Sequence, residues 1–147
     1  MYTHLEDYIR ELLSTIKVHS PPDLTIENVA SKLKLEVVYR RKSYRFGNEI
    51  ILQPGTEQQE WQLFGHELCH YLRHAGTQLL MHPLFIDLQE YQANYFAYHF
   101  CVPTFMLEQF KEVNHYEIME NFNVEEGFAL RRLEMYERKM LLAWSRC

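Results

Sequence analysis

The sequence has few cysteines, and their arrangement excludes two common cysteine-based architectures. Its 147 residues include three, Cys69, Cys101 and Cys147. No two of them form a C-x-x-C pair, and their odd number argues against a disulfide framework. We therefore expect a reduced, intracellular protein.

Long apolar runs and an excess of positive charge are also lacking. No segment approaches the roughly 18 apolar residues of a membrane span, and the acidic, amphipathic start MYTHLEDYIRELL has no signal-peptide core. The formal net charge is −5, which does not favour a nucleic-acid partner. We expect a soluble, cytoplasmic protein without membrane association, in which direct nucleic-acid binding is disfavoured.

The residues present are those of a globular protein: 47% are apolar and 14% aromatic. Repeats, linkers and low-complexity stretches are missing, so one domain over residues 1–147 is predicted. Apolar residues at helical spacing predict a first helix from Leu5 to Ile16, with a Thr3-x-x-Glu6 capping box. A short second helix near residues 26–33 begins at Asp23 or Thr25.

The next segments predict strands and then a mainly helical remainder. LEVVYRRKSYRF and Ile50-Ile51-Leu52 are rich in β-branched and aromatic residues, which indicates an antiparallel sheet of about three strands. A helix is expected from Glu57 to His74, begun by a Thr56-x-x-Gln59 capping box and stopped by Gly76. A second long helix is expected over DLQEYQANYFAYHFC before Pro103. A shorter helix over 104–113 follows, and residues 114–147 form a C-terminal helical pair, with a turn at Asn123, packed on the domain. The fold class is α+β.

The segment FGHELCHYLRH contains two histidines four residues apart with a glutamate after the first. On a helix His66 and His70 lie on the same face, and both can reach one Zn²⁺. Glu67 lies about 100° further round, where it can bond a water on the metal and act as a general base. Two ordinary surface histidines are the alternative interpretation.

A third ligand would decide between these interpretations, because catalytic zinc sites take three protein ligands and leave one position for water. Glu90 and Asp87 are the rival candidates on the next long helix. Asn94, one turn beyond Glu90, is placed to orient a ligating histidine. Small residues at 93 and 97 share that face and would allow close helix packing.

Taken together, GHELCHYLRH and EYQANYFAYHFCVP resemble the ImmA/IrrE family of zinc metallopeptidases over roughly residues 24–133. The resemblance implies a zincin-like fold, the ligands His66, His70 and Glu90, and Glu67 as the catalytic residue. Family members in phages and mobile elements are typically antirepressors, so the implied partner is a helix-turn-helix repressor cut as a protein substrate. Two positions depart from the family pattern: Cys69 replaces a common glycine, and Gln92 stands where many members have glutamate.

Two other functions remain open. The C-terminal helical pair could be a DNA-binding helix-turn-helix, because it carries four basic residues: Arg131, Arg132, Arg138 and Lys139. Nearby glutamates offset their charge, and packing against the core is the favoured role for the stripe Ala129, Leu133, Tyr136 and Met140. A non-catalytic zinc sensor is the other alternative.

The residue that stabilises the oxyanion of the reaction is also open. The candidates are Tyr71, His74, Tyr91, Tyr95 and Tyr98. We expect the tyrosines at 91, 95 and 98 to pack in the core and His74 to support the site rather than bind the metal.

Overall fold

The computed structural model of the chain describes residues 1–40, 47–74 and 81–145. Within these ranges the fold is mainly helical with a small sheet. The order is α1 (His4–Thr15), a 3-10 turn (Pro21–Asp23), α2 (Ile26–Leu33), β1 (Glu36–Tyr39), β2 (Glu49–Leu52), α3 (Glu57–Arg73), α4 (Pro83–Cys101), α5 (Thr104–Leu107), α6 (His115–Phe122) and α7 (Glu126–Ser145).

The predicted helix starts are confirmed where a side chain can cap the helix. Thr3 accepts a hydrogen bond from the Glu6 amide, and the Glu6 carboxylate accepts one from the Thr3 amide. Thr25, one of the two predicted starts, caps α2 through the Asn28 amide. These contacts satisfy backbone donors that the first helical turn leaves unpaired.

The predicted antiparallel sheet is wrong in direction. The two strands of the described residues are parallel, with Val37 opposite Ile50. Asn48 accounts for this direction: its carbonyl accepts from the Glu36 amide and its side chain donates to the Lys34 carbonyl. Asn48 therefore lies beside the first residue of β1, and β2, which begins at the next residue, runs in the same direction as β1. Part of the third predicted strand, residues 41–46, lies outside the described residues.

The core centres on α3 and α4, which pack closely against each other. Gly65 makes this approach possible, because a Cβ there would lie 2.8 Å from Cys101 Sγ and 3.3 Å from the Ala97 Cα. Phe64 and Phe100 are fully buried beside this crossing. The prediction that small residues on α4 allow close packing is confirmed, and α3 spans Glu57–Arg73 as expected. The predicted stop at Gly76 lies outside the described residues.

The C-terminal part differs from the prediction in one helix length. α5 ends at Leu107 rather than at Val113, because the chain turns so that Phe110 stacks on Phe122 at 5.7 Å. The turn at Asn123 is confirmed, with φ of 55° in the left-handed region. Ala129 and Tyr136 face the core, whereas Met140 is 47% exposed and lies outside it.

A buried polar network joins α7 to the rest of the protein. Arg132, 1% exposed, donates from Nε to the Val102 carbonyl and from its guanidinium to Thr104 Oγ1, both at 2.9 Å. The Glu6 carboxylate accepts from Thr104 and, at 2.8 Å, from Lys139 Nζ. Among the described residues, no helix is both long enough and apolar enough to cross a membrane.

Candidate metal centre

Helix α3 presents both histidines of the motif toward α4. Its start is fixed by the predicted capping box, in which Thr56 accepts from the Gln59 amide and the Gln59 side chain accepts from the Thr56 amide. The one-turn spacing places the rings of His66 and His70 4.9 Å apart. His70 is buried and His66 partly so, because α4 covers this face.

Three potential ligand side chains converge between the two helices. His66 Nε2 lies 2.8 Å and His70 Nε2 2.9 Å from the two carboxylate oxygens of Glu90. The two Nε2 atoms are 3.2 Å apart. The structure therefore brings together the three residues expected as ligands. Asp87, the rival to Glu90, is exposed on α4 and is not part of this group.

The geometry of this group fits a small divalent ion. Imidazole nitrogens and carboxylate oxygens so close together repel one another through their lone pairs unless a proton or a cation lies between them. A tetrahedral ion with bonds of about 2.0–2.1 Å separates its ligand atoms by about 3.3 Å. The observed separations of 2.8 to 3.2 Å are within a few tenths of an ångström of that value. Two imidazoles and a carboxylate can thus hold a metal without rearrangement of the helices.

Asn94 contacts the His66 ring at Nδ1, the nitrogen that does not face Glu90. Its Oδ1 lies 2.7 Å from His66 Nδ1, and an amide oxygen can only accept. His66 therefore carries its proton on Nδ1 and has Nε2 available as a ligand atom. This is the contact with a ligating histidine that the spacing of Asn94 predicts.

An open cleft of about 580 Å³ is lined by two of the three candidate ligand residues, His66 and Glu90. Glu67 lines it together with His66 and Glu90, so the carboxylate predicted to act as a base faces the same space as the metal ligands. The rest of the lining comes from three helices: Gln59, Gln62 and Leu63 of α3, Asn94, Ala97 and Tyr98 of α4, and Phe128 of α7.

The contribution of α7 to this cleft is a feature that the sequence analysis missed. Gln62 donates to Glu125 Oε1 at 2.9 Å and accepts from the Glu125 amide at 2.8 Å, which fixes the start of α7 against α3. Phe128 then packs on Tyr98, with ring centres 4.4 Å apart. Gln62 and Glu125 are more than sixty positions apart, so no spacing in the sequence links them. The signal that the sequence offers for this wall of the cleft is Phe128, an aromatic residue near the start of α7.

The candidate oxyanion residues are distributed over different surfaces. Tyr98 lines the cleft, whereas His74, Tyr91 and Tyr95 line a separate cavity of about 440 Å³. Tyr71 packs against the core. The expectation that Tyr91 and Tyr95 are core residues is wrong, since they are 68% and 38% exposed.

Two histidines on one helix, a glutamate between them and a carboxylate from a second helix form the arrangement of H-E-x-x-H metallopeptidases. The comparisons with known proteins agree with this class. The chain belongs to the family described as the IrrE N-terminal-like domain (Peptidase_M78), whose profile matches residues 23–134. The resemblance found in the sequence is thereby confirmed.

Two curated relatives from Bacillus subtilis (strain 168) match nearly the whole chain. The phage-like element PBSX protein XkdA is 38% identical over 148 residues, which cover 93% of this chain and 75% of XkdA. The uncharacterized protein YqaB is 32% identical over 152 residues, which cover 94% of this chain and 87% of YqaB.

Proposed function

We propose that the protein is a zinc-dependent endopeptidase. The observation that carries the proposal is the convergence of His66 Nε2, His70 Nε2 and the Glu90 carboxylate within 3.2 Å beside an open cleft. Three protein ligands leave one coordination position for water or substrate, whereas a structural zinc site fills all four positions with protein ligands. This difference favours a catalytic centre over a zinc sensor.

Each polar group of the centre has a definite task in such a reaction. His66, His70 and Glu90 would hold the zinc ion, which would supply a Lewis acid for the peptide carbonyl and for the attacking water. Glu67, at the cleft wall, accepts the proton of the attacking water and then delivers it to the leaving amine. Asn94 holds the His66 ring in the tautomer that presents Nε2.

The substrate that we infer is a helix-turn-helix repressor of a prophage or mobile element, so the protein would act as an antirepressor. The name of XkdA assigns that relative to a phage-like element, and members of this family in such elements typically act on repressors. The cleft is open at the surface, as cleavage of a segment within a folded protein requires.

The contacts of the basic residues on α7 support proteolysis over direct DNA binding. Arg131 and Arg138 pair with Glu134, while Lys139 pairs with Glu6. Arg132 is buried. The cations that a DNA-binding helix would direct at phosphates are thus engaged within the protein.

The test is incubation of the zinc-loaded protein with the repressor encoded beside it, followed by mass spectrometry of the products. We expect one defined cut, and Glu67→Gln should retain zinc but lose cleavage. Metal analysis should cover zinc, iron and manganese, because two histidines and a carboxylate can also hold iron. An intact repressor after incubation with fully zinc-loaded protein, or cleavage by Glu67→Gln, would contradict the proposal.

A further inference from the structure

His74, at the end of α3, contacts the metal-site histidine on the side away from the cleft. Its Nδ1 lies 2.9 Å from His70 Nδ1, and its Nε2 lies 2.9 Å from Gln92 Oε1. A continuous chain of hydrogen bonds therefore runs from α4 through His74 to His70. The metal-facing atom of His70 is at the other end of that ring.

The donor and acceptor roles along this chain of hydrogen bonds follow from Gln92, the residue at its α4 end. The Oε1 of Gln92 only accepts, so His74 Nε2 carries a proton and, in the neutral ring, His74 Nδ1 is an acceptor. The atom that donates to it is His70 Nδ1. A neutral His70 with its proton on Nδ1 carries its lone pair on Nε2, the atom 2.9 Å from Glu90.

We propose that His74 and Gln92 are positioning residues that fix the tautomer of His70, as Asn94 does for His66. The inference rests on the proposed metal centre. It assigns a role to two residues beyond the three ligands on this side of the site: His74, one turn after His70, and Gln92 on α4, which accepts from it. A glutamate at 92 would also accept from His74 and would give the same direction of donation.

The opposite direction of donation makes the proposal testable. If the Gln92 amide group donated to His74, the order would reverse, and His70 would carry its proton on Nε2, where it blocks metal binding. Long-range ¹H–¹⁵N NMR on histidine-labelled, metal-free protein at a pH where the imidazoles are neutral distinguishes the two tautomers. We expect His70 as the Nδ1–H form and His74 as the Nε2–H form. The reversed pattern would overturn the proposal.

Zinc affinity measured by chelator competition provides the second readout. Gln92→Met and His74→Phe remove the acceptors and should weaken zinc binding by about 10- to 100-fold. Gln92→Glu should bind zinc like the wild type. The exposed Gln109→Met is the matched control, and thermal unfolding of each metal-free variant excludes loss of the fold. Unchanged zinc affinity in both Gln92→Met and His74→Phe would contradict the proposal.

The two readouts also separate this inference from the proposed function. If the wild type fails to bind zinc, the endopeptidase proposal fails, and the tautomers of the metal-free protein still decide the direction of the chain. If the wild type binds zinc but His70 and His74 show the reversed tautomers, the positioning role alone is wrong.

Discussion

The close crossing of α3 and α4 at Gly65 predicts how a single methyl group should affect both stability and metal binding. In Gly65→Ala the new Cβ would lie 2.8 Å from Cys101 Sγ and 3.3 Å from the Cα of Ala97. Ordinary contacts between such atoms are about 3.5–4.0 Å, so α4 must move by roughly 0.5 Å. Overpacking of this kind costs about 1–3 kcal/mol, of which the better helix propensity of alanine returns about 1.

The displacement of α4 should also weaken metal binding. Helix α4 carries Glu90 and Asn94, and metal–ligand distances tolerate changes of only about 0.2 Å. We therefore expect Gly65→Ala to lose up to about 2 kcal/mol of unfolding free energy in urea and to bind zinc at least 10-fold more weakly in chelator competition.

Matched variants separate the clash from a general effect of the substitution. Gly127→Ala introduces the same change on α7, where a Cβ meets nothing within 4 Å, and should leave zinc affinity unchanged. Cys101→Ala removes the tightest contact and should restore part of the loss in the double variant. A Gly65→Ala protein with wild-type stability and wild-type zinc affinity would refute this account of the crossing.

Three further predictions concern the pH dependence, the buried network and the cleft. Burial, followed by the charge of Arg132, lowers the pKa of His99 from 6.5 to about 4. Because the unfolded chain binds this proton more readily than the folded protein, the free energy of unfolding should fall by about 3 kcal/mol as the pH drops from 6.5 toward 4, with no contribution above that range. Urea unfolding of His99→Gln should show a flatter pH profile, and an identical one would contradict this. Glu6→Gln removes the carboxylate that pairs with Lys139 and should cost about 3 kcal/mol of unfolding free energy, whereas the exposed Glu11→Gln on the same helix should cost nothing measurable. Tyr98→Ala should lower kcat/KM for repressor cleavage about 10-fold without changing zinc content, since it removes an aromatic wall of the cleft; an equal loss in Tyr95→Ala, on the other cavity, would refute this.

Local signals in the sequence were sufficient to predict helix α3 and the positions of its two histidines. The capping pattern at Thr56 and the four-residue spacing of His66 and His70 depend only on contacts within a turn or two, and both are found as expected. Helical periodicity on α4 likewise placed Asn94 one turn from Glu90, and the close packing of the two helices brought both to the histidines.

Features that depend on distant contacts were mispredicted or missed. An alternating pattern does not encode strand direction, which here depends on the contacts of Asn48 with Lys34 and Glu36. The early end of α5 depends on Phe110 stacking against Phe122. The cleft wall formed by Phe128 depends on the pairing of Gln62 with Glu125, which no local pattern signals.

X-ray absorption spectroscopy of the zinc-loaded protein tests the central claim most directly. Coordination by His66, His70 and Glu90 predicts two imidazole nitrogens and oxygen ligands at about 2.0–2.2 Å, with no sulfur, and a disrupted shell in Glu90→Ala. A zinc–sulfur distance of about 2.3 Å, or a spectrum unchanged in Glu90→Ala, would contradict it.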